Sequence, residues 1–182
     1  MELMLIQRLR AINKGVALVV GLGLLVCAAF VLIDIIMRQI GTSLGGTEEI
    51  AGYAMALATS WGMSYTLLEL GHVRIDLLRS RTDSLARSLF DLFSMIVMSG
   101  VVITIAIKAW PVLERSITNG SRANTPLETP LVLVQAPWFA GWVWFAVMSA
   151  LTTLAALSLV LKRRHSETEP FVGAFAEQDS LQ

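Results

Sequence analysis

Four long stretches without a charged residue constrain this chain more than any other feature of its sequence. They cover residues 15–33, 50–68, 92–107 and 129–161. The first two have about the 20 residues that a helix needs to cross a hydrocarbon core of about 30 Å. The third reaches that length if Lys108 extends its ammonium group to the interface. The fourth is too long for one upright helix, and we expect Pro137 to divide it, because proline is well tolerated in the first turn of a helix.

These stretches predict an all-α membrane protein with four transmembrane helices plus a short N-terminal interfacial helix. We expect a transmembrane domain at residues 15–165, with spans at about 15–37, 48–69, 88–111 and 138–161. Residues 1–14 place Leu5, Leu9 and Ile12 on one face, which favours a cytoplasmic helix lying in the interface. Residues 166–182 are polar and acidic without periodicity, so we expect a disordered cytoplasmic tail. The composition agrees, because only 15% of the residues are charged, against about 25% in soluble domains.

The distribution of positive charge predicts which side of the membrane each loop faces. With four spans, both termini and the loop between the second and third spans share one side. That side carries ten Lys and Arg residues, which are Arg8, Arg10, Lys14, Arg74, Arg79, Arg81, Arg87, Lys162, Arg163 and Arg164. The other side carries four, which are Arg38, Lys108, Arg115 and Arg122. Because positively charged short loops stay in the cytoplasm, we expect both termini to be cytoplasmic.

The predicted spans contain no ionisable residue in their central thirds, where such a residue would mark a transport or proton pathway. His72 and His165 fall in a loop and a tail, so they are not placed to ligate haem across two helices. The single cysteine, Cys27, excludes a multi-cysteine metal site. The net charge of zero is not that of a nucleic-acid-binding protein. We therefore predict no catalytic residue, no cofactor and no metal, and expect a non-enzymatic subunit of a larger complex.

Small residues recur along two faces of the second predicted span. One row consists of Ala54, Ala58 and Gly62, and the other consists of Gly52, Ala56, Ser60 and Ser64. Small residues four apart allow helix backbones to approach closely in lipid. Two such faces indicate neighbours on both sides of the helix. Packing inside the bundle alone is one explanation, and contact of one face with another polypeptide is the other.

Charged residues on either side of the first loop are further candidates for partner contact. Asp34 and Arg38 are four residues apart, so they share a helical face and predict an ion pair at the helix end. Thr47 is placed to cap the second helix, and Glu48 and Glu49 lie in its first turn, where the helix dipole favours negative charge. Capping accounts for one acid, and two adjacent acids also fit a docking surface. Both interpretations stay open at this point.

The segment that follows the second span contains Gly71, His72, Arg74 and Asp76. Gly71 suits the left-handed position just after a helix, which favours glycine. His72 and Arg74 are then close enough to contact the last helical carbonyls or lipid phosphates. We interpret this segment as a structural cytoplasmic loop, because a lone loop histidine is weak evidence for a metal or proton site.

In their order and spacing, these residues resemble the small permease (Q) subunit of tripartite ATP-independent periplasmic (TRAP) transporters. The resemblance covers residues 34–78. It rests on the Arg that ends helix 1, the two acids that open helix 2, the aromatic and the glycine within helix 2, and the Gly-His segment after it. Here these are Arg38, Glu48, Glu49, Tyr53, Gly62, Gly71, His72, Arg74 and Asp76. One departure is that Gly45 and Gly46 stand where that family usually has a tryptophan.

The resemblance implies a function that composition does not reveal. It implies a bacterial inner membrane protein that scaffolds a large permease (M) subunit and helps to dock a periplasmic substrate-binding protein. It also implies sodium-coupled uptake of an organic acid anion, with the transport and sodium sites in the large subunit. The alternative is a stand-alone four-helix protein, either a small channel or an accessory subunit of another membrane complex. A membrane redox subunit is disfavoured by the lack of paired histidines and cysteines.

Overall fold

Four α-helices make up nearly all of the structure, a computed structural model that describes residues 2–72 and 84–162. They are α1 (Glu2–Gln39), α2 (Thr47–Leu68), α3 (Ser84–Asn119) and α4 (Leu131–Leu161). In the described parts of the chain, the extended backbone is limited to one isolated antiparallel bridge between Arg122 and Pro130. The structure is therefore all-α, as the sequence predicts.

The helices lie side by side in the spatial order α1, α2, α4, α3. Contacts at both ends show that α1 and α2 are antiparallel, because Arg10 bonds to Leu68 and Asp34 bonds to Thr47. The sequential neighbours α3 and α4 are antiparallel as well. By contrast α2 and α4 run parallel and pack against each other in the middle of the layer. This order leaves α1 and α3 at the two edges.

The buried core lies between α2, α3 and α4. Its members are Leu67, Leu92, Met95, Val102, Phe145 and Ala156. By contrast, most of the apolar surface of α1 is open, and the side chain of Leu18 is 77% exposed. Three helices, α1, α3 and α4, are long and apolar enough to cross a membrane, while α2 does not meet that standard. An edge helix with so much open apolar surface is suited to a hydrocarbon environment.

Residues 2–14 are continuous with the first predicted span, so the short interfacial helix that we expected is not a separate element. The reason is visible in the packing of this segment. Ile6, Leu9 and Asn13 are buried, and Arg10 donates a hydrogen bond from Nε to the carbonyl of Leu68 at 3.0 Å. Because these residues pack against the end of α2, α1 continues as one helix from Glu2 to Gln39.

Proline positions account for two further differences from the sequence-based boundaries. We expected Pro137 to begin the last helix, but α4 begins at Leu131, directly after Pro130 at the N-cap. Pro137 lies in the second turn, where its carbonyl accepts a hydrogen bond from Trp61 Nε1 at 3.0 Å. Likewise α3 continues through Pro111 to Asn119 instead of ending at residue 111. Both prolines lie inside their helices, where each removes one backbone hydrogen bond. Helices in membranes tolerate such prolines because neighbouring helices and local adjustments of the backbone compensate for the loss.

Candidate functional site

The candidate site begins with a carboxylate that organises the loop between α1 and α2. Asp34 is only 1% exposed. Its Oδ1 accepts hydrogen bonds from the backbone N–H of Leu44 at 2.7 Å and from Ser43 Oγ at 3.0 Å. Its Oδ2 accepts from Arg38 Nε and from Thr47 Oγ1, both at 2.8 Å. The predicted ion pair is thus present, and it is part of a network that joins the end of α1 to the start of α2.

The network changes the role of Thr47. We expected its hydroxyl to cap α2, but Gly46 occupies the N-cap position and no side chain caps the helix there. The Thr47 hydroxyl donates to Asp34 instead and accepts a hydrogen bond from Arg38 Nη2 at 3.1 Å. Asp34 is therefore a positioning residue whose hydrogen-bonding capacity is used by its own chain. Arg38 remains half exposed beside it.

Two glycines allow this loop to approach the loop between α3 and α4. Gly45 and Gly46 have φ values of 71° and 67°, in the left-handed region that side chains disfavour. A Cβ atom at Gly46 would clash with the side chain of Leu127. These glycines stand where the family that the sequence resembles usually has a tryptophan, and here their backbone packs against the neighbouring loop. We call this end of the bundle, formed by residues 40–46 and 120–130, the two-loop end.

The structure separates the two adjacent acids. The side chain of Glu48 is exposed, whereas that of Glu49 is half-buried. Tyr53 donates its hydroxyl to Glu49 Oε1 at 2.6 Å, and Thr125 and Thr129 of the α3–α4 loop lie beside the same carboxylate. Glu49 and Tyr53 therefore connect α2 to the α3–α4 loop, while the carboxylate of Glu48 is exposed at the surface.

The rows of small residues on α2 also have different surroundings. Ser60 and Ser64 are buried, and a Cβ atom at Gly141 would lie 2.5 Å from Ser60 Oγ, so α2 and α4 make a close contact there. Ala54 and Ala58 line a groove beside α1. At Gly62, apart from its chain neighbours and the adjacent backbone of α2 itself, no described atom lies within 4 Å of the Cβ position. Ser60 and Ser64 are thus used inside the bundle, and Gly62 is open.

A buried polar cluster in the half of the bundle near the N-terminus was not predicted. Asn13 is 0% exposed, and its Oδ1 accepts hydrogen bonds from Ser64 Oγ at 2.6 Å and Trp144 Nε1 at 3.1 Å. The cluster links α1, α2 and α4. Asn13 stands between Ile12 and Lys14 in the segment that we expected to form an interfacial helix, and nothing in that local pattern indicates its burial.

A backbone motif ends α2, and Gly71 lies one position later in that motif than the sequence predicts. Leu70, with φ of 56°, occupies the left-handed position that we expected Gly71 to take. Gly71 follows it and donates its N–H to the carbonyl of Thr66 at 2.8 Å, while Leu70 donates to Leu67, which is a Schellman motif. A Cβ atom on Gly71 would lie 3.0 Å from the Thr66 methyl group, so a larger residue would require that side chain to shift.

His72 then turns towards the core, where its ring stacks on Phe145 with a centroid separation of 6.2 Å. This differs from the surface role that the sequence predicted for it. The other two members of the segment, Arg74 and Asp76, lie outside the described residues. Within residues 2–72 and 84–162, no group of three or more His, Cys, Asp or Glu residues is arranged to hold a metal ion.

Comparison with known proteins adds one match. Residues 27–163, more than half of the chain, match the sequence profile of the family described as "Tripartite ATP-independent periplasmic transporters, DctQ component". The matched region includes the Asp34 network and the two-loop end. No curated protein and no solved structure matches the chain.

Proposed function

Because this chain belongs to the DctQ component family of tripartite ATP-independent periplasmic transporters, we propose that it scaffolds the large permease subunit and helps to dock the substrate-binding protein. Membership itself makes the chain a small membrane subunit of a TRAP transporter. The scaffold role is non-catalytic. Sodium coupling and the path of an organic acid anion are then functions of the large subunit, which supplies the ionisable groups that the centres of these helices lack.

The observation that carries the scaffold proposal is the open face of α2. Gly52, Met55, Thr59 and Gly62 follow one another at spacings of three and four residues, so they share one face. The first three are exposed, and Gly62 has open space around its Cβ position. Small residues on an open helix face allow a second helix to approach closely. We place the contact with the large subunit here.

We further propose that α2 crosses the membrane together with the three apolar helices. Its 22 residues give a length of about 33 Å, enough for a hydrocarbon core of about 30 Å. Its buried polar side chains, Ser60 and Ser64, face the bundle and not the lipid. The excess of Lys and Arg on one side supports a cytoplasmic location for both termini and a periplasmic location for the two-loop end.

The periplasmic position makes the two-loop end the docking surface for the substrate-binding protein. Glu48 and Arg122 are exposed there and offer charges of both signs. The Asp34 network ties the first loop to α1 and α2, and Gly46 packs against Leu127 of the second loop, so the surface is ordered before a partner binds. A preformed surface lowers the entropic cost of binding a partner.

Co-expression with a large TRAP permease subunit tests the proposal. We expect the two membrane proteins to co-purify in mild detergent, and we expect sodium-dependent uptake in liposomes only when both and the binding protein are present. Liposomes with this chain alone are the matched control. Substrate flux through the chain alone would contradict the scaffold role and favour a stand-alone channel.

A further inference from the structure

An apolar groove runs between α1, α2 and α4. It is lined by six residues of α1, four of α2 and one of α4. These are Gly15, Val16, Val19, Val20, Gly23, Leu24, Ala54, Leu57, Ala58, Trp61 and Pro137. The groove exists because four of these residues are glycine or alanine. Its volume is about 580 Å³, within the range of roughly 300–1,000 Å³ typical of small-molecule sites.

The lining offers an occupant no polar partner. The single side-chain N–H among the lining residues is Trp61 Nε1, which already donates to the carbonyl of Pro137 at 3.0 Å. A polar ligand would lose its hydration in this groove without gaining a hydrogen bond from a side chain, which is unfavourable. A hydrocarbon chain incurs no such cost.

The depth of the groove matches one leaflet of a bilayer. It begins at Gly15, the first residue of the uncharged stretch, and the α1 lining ends at Leu24. Ten helical residues cover about 15 Å, half of a hydrocarbon core of about 30 Å. A helix of a partner protein is about 10 Å wide and needs space through both leaflets. The groove does not continue through the second leaflet, because α1 and α2 are in contact at their other end, where Thr47 bonds to Asp34. These limits favour an acyl chain over a helix.

A cationic residue lies where the headgroup of such a lipid would be. Arg8, Ile12, Gly15 and Val19 are spaced by four, three and four residues, so they share one face of α1. Arg8 is exposed, about 10 Å along the helix axis from the start of the groove. Because α1 is continuous from Glu2 to Gln39, this register is fixed.

We propose that this groove binds one acyl chain of an anionic phospholipid in the leaflet nearest the N-terminus, with Arg8 contacting its phosphate. The inference depends on the membrane placement proposed above. The bound lipid fills the wedge that α1 leaves against α2 and α4, and it thereby covers part of the open apolar surface of α1.

Photo-crosslinking tests the site directly. The full-length chain is reconstituted into phosphatidylethanolamine vesicles with a small fraction of phosphatidylglycerol that carries a diazirine on one acyl chain. We expect cross-links concentrated in residues 15–24 and 54–61. Gly23→Leu adds a side chain to the groove lining at a position where the Cβ atom itself meets no neighbouring helix, and it should remove most of this labelling. Gly21→Leu, on the same helix but outside the lining, should not change it.

The headgroup is tested separately with Arg8→Gln, which should reduce the preference for phosphatidylglycerol over phosphatidylethanolamine by about fivefold. Cross-links spread evenly over α1, or equal labelling of the Gly23→Leu and Gly21→Leu variants, would overturn the site. The same labelling is repeated with the large permease subunit bound. Loss of the groove cross-links in that complex would show that a protein segment occupies the groove, and would also overturn the proposal. Because labelling does not require transport, this result is independent of the test of the scaffold role.

Discussion

At the scale of single residues, Asp34 is the side chain on which the two-loop end depends most. We predict that Asp34→Ala destabilises the protein by about 2–3 kcal/mol, because it leaves the N–H of Leu44 and the hydroxyl of Thr47 without their charged acceptor. Thermal unfolding in detergent measures the loss. Hydrogen exchange should rise in residues 40–48. Arg38→Gln is the milder control, because Arg38 is half exposed and the other donors to Asp34 remain.

The neighbouring acids allow a test that separates docking from structure. Glu48→Lys should reduce uptake by roughly threefold at low salt, because an exposed charge at the edge of an interface mainly affects association. Its loss of stability should stay at about 1 kcal/mol, which is the size of a charge–dipole interaction in the first turn of a helix. Glu49→Leu should lower the thermal stability, because it removes the acceptor of the Tyr53 hydroxyl. The reverse pattern, in which Glu48→Lys unfolds the protein and leaves transport unchanged, would contradict the division of roles.

Sequence reasoning located Asp34, Arg38 and the two acids, because spacing along a helix places them on known faces. It did not find that Asp34 is buried, since that depends on how residues 40–46 fold back over it. It also missed Asn13, whose hydrogen bonds come from residues 51 and 131 positions away. Contacts of such long range depend on the packing of three helices and leave no local pattern.

At the scale of helices, the close contact between α2 and α4 and the open face of α2 give opposite expectations for two glycines. Gly141→Leu should destabilise the isolated subunit by at least about 1–3 kcal/mol, because even a Cβ atom lies 2.5 Å from Ser60 Oγ. Gly62→Leu should leave the isolated subunit as stable as the wild type and weaken its complex with the large subunit. Thermal unfolding and co-purification yield measure the two effects. Unchanged complex yield for Gly62→Leu would show that this face contacts lipid.

The helices themselves were predictable to different degrees. Uncharged stretches indicated all four, because charge is excluded from the interior of apolar helices. The helix boundaries differ from those of the predicted spans at Pro111 and Pro137, because proline is favourable in the first turn of a helix and is also tolerated inside helices in membranes. The N-terminal boundary failed because the burial of Ile6, Leu9 and Asn13 against neighbouring helices outweighs the local preference for an interfacial segment.

At the scale of the whole molecule, the position of α2 decides how many times the chain crosses the membrane. By hydropathy, α1, α3 and α4 are candidate spans and α2 is not. An odd number of crossings would place the two termini on opposite sides. Yet α2 lies between α1 and α4 along its length, and its serines face inward. The lower hydropathy of α2 is therefore compatible with the crossing that we propose for it, because its buried polar side chains face the bundle.

Labelling of single cysteines tests this arrangement in a Cys27→Ala background. We expect a membrane-impermeant maleimide to reach Thr42→Cys in cells with a permeabilised outer membrane, because Thr42 is exposed at the two-loop end. Glu69→Cys, exposed at the other end of α2, should be labelled only after the inner membrane is opened. Asn119→Cys and Gln7→Cys serve as matched controls for the two sides. Equal labelling of the Thr42 and Glu69 variants in cells with an intact inner membrane would show that α2 does not cross the membrane. Labelling of the Glu69 variant alone in such cells would reverse the orientation inferred from the ten positive charges on one side and four on the other.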